Sequence, residues 1–140
     1  MGRIMAIDYG SKRCGLAVTD SLRILATGLD SVHSKDIIVY LEKYFIKEVV
    51  DIIVVGEPKT LENKKSDSAR FIDPFVAHLK KKFLNKKIER FDERFTTKIA
   101  HQTILNGGVK KKQRQNKNTV DVISAIIILQ DYISITYKIK

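Results

Sequence analysis

Two short apolar runs open the chain, RIMAID (residues 3–8) and GLAVTD (15–20), and RILATGLDSV (23–32) follows as a third. A glycine-containing turn separates the first two, so residues 3 to 33 read as a meander of three strands. From Ser34, a plausible N-cap, the pattern changes to helical spacing, with Ile37, Ile38, Leu41, Tyr44 and Phe45 on one face. DIIVVG (51–56) is then a continuous apolar run, as in a strand covered on both sides. After the loop GEPKTLENKKS, a helix is expected from about Asp67 to Phe83 with Phe71, Phe75, Ala77 and Leu79 inward, kinked or broken at Pro74. KIERFD reads as a fifth strand, and Thr96 or Thr97 can cap a helix KIAHQTIL that Gly107 and Gly108 stop. A last helix beginning at Asn118 or Thr119 carries VDVISAIIILQDYI, which is too apolar for a surface helix and should pack on the sheet. The order βββ-α-β-α-β-α-α predicts an α/β protein: a mixed sheet with helices on its faces.

The 140 residues, 44% of them hydrophobic, suit one domain spanning residues 1–140, of a size that buries ~68–70% of its unfolded-chain surface. Cys14 has no partner in the chain and lies in an apolar run, so it reads as a small core residue. No stretch has the order of a signal peptide or the length of a bilayer span, which sets the expectation of a cytoplasmic protein without a membrane partner. The net charge of +10 points to a polyanion. Its densest run, KKKQRQNK (110–117), has no apolar residue, which favours nucleic acid over a membrane surface or a merely solvated loop.

Acidic residues recur where elements end or begin. Asp8 closes the first strand, Glu57 follows the fourth, Asp92 and Glu93 close the fifth, and Asp121 lies in the expected first turn of the last helix. Sheets of this class gather ligands at the carboxyl ends of their strands. Two readings of Asp8 stand side by side, a turn cap and a metal-binding carboxylate. Asp121 likewise has a plain reading, since the helix macrodipole favours an acid in the first turn by ~0.3–1 kcal/mol. Ser124 and Ala125, however, are small residues on its face that would let the helix approach the sheet and bring Asp121 toward Asp8.

Four motifs in order, AIDYGSKRCGLAVTD, VVGEP, DERFTT and VDVISAIIIL, give the chain a resemblance that covers nearly all of its length. It resembles the YqgF (RuvX-type) family, the Holliday-junction-resolvase-like branch of RNase H-fold proteins proposed to be pre-16S rRNA nucleases. The resemblance implies an RNase H-like fold with a mixed five-stranded sheet in the order 3-2-1-4-5. It also implies an acidic site of Asp8, Glu93 and Asp121, catalytic and metal-binding, with Mg²⁺ or Mn²⁺ as a pair of ions. Many members have an apolar residue where this chain has Glu57, whereas distant resolvases carry a glutamate near that position, so Glu57 stays open as a ligand or a loop acid. Asp92, adjacent to Glu93 in a strand, should point to the other face.

Phosphodiester hydrolysis explains the grouping of carboxylates, because a two-metal site provides both a nucleophilic water and charge stabilisation on the leaving oxygen. Clustered carboxylates without a cation would raise one another's pKa. His33, His78 and His101 lack zinc-type spacing and read as structural or surface residues. Candidate nucleic-acid contacts are Lys12, Arg13, Arg94, Lys110, Lys111, Lys112, Arg114 and Lys117, with Arg94 able instead to brace the acidic cluster. The expected function is a metal-dependent nuclease processing the pre-16S rRNA end in ribosome biogenesis, on precursor rRNA or the pre-ribosomal small subunit, as a monomer. The alternatives are a Holliday junction resolvase acting on DNA and a non-catalytic RNA-binding assembly factor. A sugar-kinase or actin-like phosphotransferase shares the fold but needs two duplicated domains, and no Walker-type sequence is present.

Overall fold

The computed structural model of the chain describes residues 2–10, 12–57, 69–92 and 117–136. The strands are β1 (Arg3–Tyr9), β2 (Arg13–Thr19), β3 (Ala26–His33), β4 (Val50–Glu57) and β5 (Lys87–Asp92); the helices are α1 (Ile37–Lys47), α2 (Ala69–Lys82) and α3 (Lys117–Thr136). The five strands form one sheet in the order β3-β2-β1-β4-β5. β1 pairs antiparallel with β2, which pairs antiparallel with β3, while β4 runs parallel to both β1 and β5. The sheet is the mixed one that the sequence predicts. The loop 58–68, the expected helix KIAHQTIL with its Thr96 or Thr97 cap, and the stop at Gly107 and Gly108 lie outside the described residues.

Alternation along the strands divides the core in two. Met5, Ile7, Leu16, Val18, Ile53 and Val55 pack with Ile37 and Leu41 of α1 and with Ile72, Phe75, Val76 and Leu79 of α2. On the other face, Ile4, Ala6, Ala17, Ile52, Val54 and Phe91 pack with Ala125, Ile128, Leu129 and Tyr132 of α3. The strands in the middle of the sheet are therefore apolar on both sides, which accounts for the unbroken run in DIIVVG. Cys14 is buried in the first cluster, as its setting predicts.

Several local expectations are corrected. Ser34 does not cap α1: its hydroxyl donates to the Gly10 carbonyl at 2.6 Å, and Asp36 takes the N-cap position. The same hydroxyl that could have capped the helix instead ties its approach to the β1–β2 turn. β3 begins at Ala26, because Ile24 and Leu25 stand in the preceding loop, exposed. α2 is one continuous helix across Pro74 rather than two pieces, with the missing N–H removing one bond near its start while Ile72, Val76 and Leu79 hold the inner face. Ala77 faces solvent rather than the core, and Ile72 and Val76 take its place inside. Finally, α3 starts at Lys117, so Asp121 sits beyond the first turn, where the macrodipole no longer explains an acid.

Candidate active site

Asp8 is the last residue of β1 on the α3 face, since Ile4 and Ala6 precede it in the same alternation. Directly across the antiparallel ladder stands Gly15. A Cβ on Gly15 would lie 1.9 Å from the backbone carbonyl oxygen of Asp121, so only glycine lets α3 come this close. One strand further out, a Cβ on Gly28 would meet Val122 at 2.5 Å. The approach foreseen from Ser124 and Ala125 is thus made mainly by glycines on the sheet, with Ala125 fully buried against it. In the sequence Gly15 is the first residue of an apolar run, and its one signal is a position opposite Asp8 in the predicted hairpin.

The result brings two carboxylates together. The Asp8 carboxyl is pushed up to about 6, first by burial and then by the neighbouring Asp121 charge. Its surface is only partly covered, yet protein fills most of the volume around it, so it is desolvated while retaining a window to solvent. Asp121 is held differently, because Arg13 Nε donates to its Oδ2 at 2.9 Å. Arg13, expected to bind nucleic acid, pairs with Asp121 in this structure. The turn between β1 and β2 is closed by the Gly10 N–H on the Arg13 carbonyl at 3.0 Å, which sets Arg13 at the start of β2. Lys12 is exposed on that turn.

The remaining candidates separate by face. Ile52 and Val54 share the α3 face and Ile53 and Val55 the opposite one, and the side chain of Glu57 lies outside the described residues. Asp92 pairs with Glu57 in the register and is in phase with Ile88, away from Asp8. His33 accepts the Lys35 N–H on Nδ1 at 3.1 Å, and His78 is exposed on α2. Glu93, Arg94, Lys110, Lys111, Lys112, Arg114 and His101 lie outside the described residues, as does the side chain of Lys117. Among the described residues no three acidic, thiol or imidazole groups cluster. The donor set itself suits a hard divalent cation: Asp8 and Asp121 offer carboxylate oxygens only, and Asp8 has a buried negative charge that a cation would relieve.

A mixed sheet in the 3-2-1-4-5 order, with an aspartate on its middle strand meeting an aspartate of the last helix, defines an RNase H-like protein. Among solved structures, that of T. thermophilus RuvC in complex with a Holliday junction substrate superposes with a TM-score of 0.60, at 12% identity and over 97% of each chain. The family model described as RuvX, Holliday junction resolvase, matches residues 2–135, and the chain belongs to that family. A relative from Flavobacterium psychrophilum is 51% identical over 134 residues, 96% of this chain and 98% of that protein. Another from Phocaeicola vulgatus is 53% identical over 133 residues, 95% of this chain and 96% of that protein. Both carry the provisional name pre-16S rRNA nuclease.

Proposed function

We propose that this chain is a divalent-metal-dependent nuclease that hydrolyses phosphodiester bonds in precursor 16S rRNA. The observation that carries the reading is the Asp8 carboxylate, desolvated at the end of the middle strand and set against a second carboxylate. Neither a turn cap nor a helix-dipole partner calls for that pairing. Membership of the RuvX family and the names of its relatives supply the substrate class. Asp8 and Asp121 would hold Mg²⁺ or Mn²⁺ together with Glu93, which stands two residues beyond Phe91 of the α3 face in the sequence. When bound, a metal pair supplies an activated water and charge stabilisation on the leaving oxygen.

The chain's own residues prepare for this in separate ways. Arg13 fixes one oxygen of Asp121 and leaves the other for a ligand. Asp8 loses its proton near neutral pH and so carries its charge when the cation is needed. Lys12 presents an exposed ammonium on the turn beside the site, and Lys110, Lys111, Lys112, Arg114 and Lys117 are the proposed backbone-tracking residues, with Arg94 as a further phosphate contact. Water adds to phosphorus, the bond to the leaving ribose oxygen breaks, and a proton passes to that oxygen. An accessible phosphate in an irregular or single-stranded region is the expected target, since the A-form major groove cannot be read. We take the enzyme to be a cytoplasmic monomer making one cut.

The family description names a DNA substrate, a four-way junction, and a resolvase must place two active sites symmetrically. A side-by-side assay of precursor 16S rRNA and a mobile four-way junction, at equal salt, decides between them. Cleavage of the RNA by a monomer is expected. Symmetric junction cleavage by a stable dimer, with no RNA product, would replace this reading by the resolvase one.

A further inference from the structure

The end of the sheet opposite Asp8 carries an unusual surface. The loop between β2 and β3 exposes Leu22, Ile24 and Leu25 at 65%, 63% and 67%. Ile46 at the end of α1, Val49 before β4 and Leu84 before β5 are exposed at 85%, 69% and 85%. Strand directions place all six at the same edge, because β1, β4 and β5 start there and β2 ends there. The five strand ends along this edge span about 19 Å. Singly exposed aliphatic residues are ordinary; six at one end of one sheet, interspersed with the Arg23–Asp51 and Arg3–Glu48 ion pairs, mark a candidate interaction surface of mixed character.

The loop is also held in one shape. Arg23 has φ 59, the one positive value at a non-glycine among the described residues. Its guanidinium donates to the Gly2 carbonyl at 2.9 Å and pairs with Asp51 at 3.0 Å, so both its backbone and its side chain are fixed. Asp20 Oδ1 accepts the N–H groups of Ile24 and Leu25 at 2.8 and 3.1 Å. An unfavourable conformation that the surroundings hold in place, presenting three apolar side chains to water, is pre-organisation without any benefit to this chain's own core.

The chemistry of the patch selects its occupant. Leu, Ile and Val have no π-face on which a base can stack, which argues against RNA. Lys47 in the last turn of α1 and Lys80 to Lys82 in the last turn of α2 stand at the same end of the fold, where Lys82 pairs with Glu42 and Arg3 with Glu48, and cations outnumber acids there. A second copy would face this end with the same excess of cations, whereas an acidic rim complements it. We infer that this pole docks a protein with an apolar depression rimmed by Asp or Glu, and that this partner belongs to the precursor small-subunit particle. This rests on the function proposed above. Docking there leaves Asp8, five residues beyond the start of β1 and roughly 17 Å away, open to the RNA.

The test compares wild type with Leu22→Ser/Ile24→Ser/Leu25→Ser, whose changes are all at exposed positions, and with Ile46→Ser/Leu84→Ser on other elements. Affinity is measured for purified precursor small-subunit particles and for protein-free precursor 16S rRNA, with cleavage of the free RNA and sedimentation of each protein alongside. Both variants should bind particles at least tenfold more weakly, with free-RNA binding and cleavage unchanged. Equal particle affinity would overturn the inference. Equal loss on free RNA would give the pole to nucleic acid, and a wild-type dimer abolished in the variants would give it to a second copy. A wild type that cleaves no RNA, yet loses particle binding through these substitutions, would overturn the nuclease reading and leave the docking surface standing.

Discussion

At Asp8, burial and the charge of Asp121 push in the same direction, and the consequence is measurable without any substrate. The folded-state pKa of about 6 lies above the usual 3.8, so Asp8 contributes most to stability below 3.8, and this contribution is lost as pH rises through about 6. Above that the ionised carboxylate opposes folding. The shift corresponds to at most about 3 kcal/mol, and the window to solvent reduces this to about 1–2 kcal/mol. Asp8→Asn should therefore raise metal-free stability by about that amount near pH 7.5, and by close to nothing at about pH 4. Urea denaturation at the two pH values checks it; a destabilised variant at the higher pH would contradict the electrostatic account. Magnesium should act in the opposite sense. Its thermal stabilisation of wild type should be larger near pH 7.5 than near pH 5, and should vanish in Asp8→Asn, as followed by a melting curve at each pH.

At the scale of elements, the site depends on how closely α3 lies on the sheet. Gly15→Ala places a methyl where the Asp121 carbonyl now sits, so the helix or the strand must move. A loss of about 3 kcal/mol in stability is expected, together with a fall in cleavage of at least about a hundredfold as Asp121 leaves Asp8. Ala17, next on the same face of β2, packs on α3 without such a clash; Ala17→Gly should lose some stability and keep most activity, which separates displacement of Asp121 from general weakening. Much of this architecture was legible in the chain. Short apolar runs, continuous in DIIVVG, give all five strands, and the position of Asp8 at the end of one of them gives the candidate site. Asp121 was legible as a residue, but its reason was not: a helix starting at Thr119 would make it a dipole partner, and the actual start at Lys117 removes that explanation. Gly15 reads only as the first residue of an apolar strand run until the helix above it is known. Arg13 reads as one more cation in a basic turn, because an ion pair spanning 108 residues leaves no local trace. Ser34 followed by an apolar helical run satisfies every rule for an N-cap, and only the position of the Gly10 carbonyl redirects it.

Over the whole molecule, the two ends of the sheet have different chemistry. One gathers carboxylates, with basic residues nearby in the sequence; the other presents aliphatic side chains. A net charge of +10 should draw any polyanion, so affinity alone says little about function. The run KKKQRQNK gives a sharper test. Replacing Lys111 and Arg114 with Ala should weaken RNA binding for every sequence alike and flatten the slope of log K against log salt by about 1.5. An unchanged slope would make the run a solvated loop. Catalysis by Asp8 is the claim on which the rest of the functional account depends. It is tested most directly by incubating highly purified wild type and Asp8→Asn, prepared identically, with precursor 16S rRNA over a Mg²⁺ and Mn²⁺ titration. The account predicts divalent-dependent cleavage by wild type and a loss of at least about a thousandfold in the folded variant. Equal cleavage by both proteins, or none by wild type at any metal concentration, would contradict it.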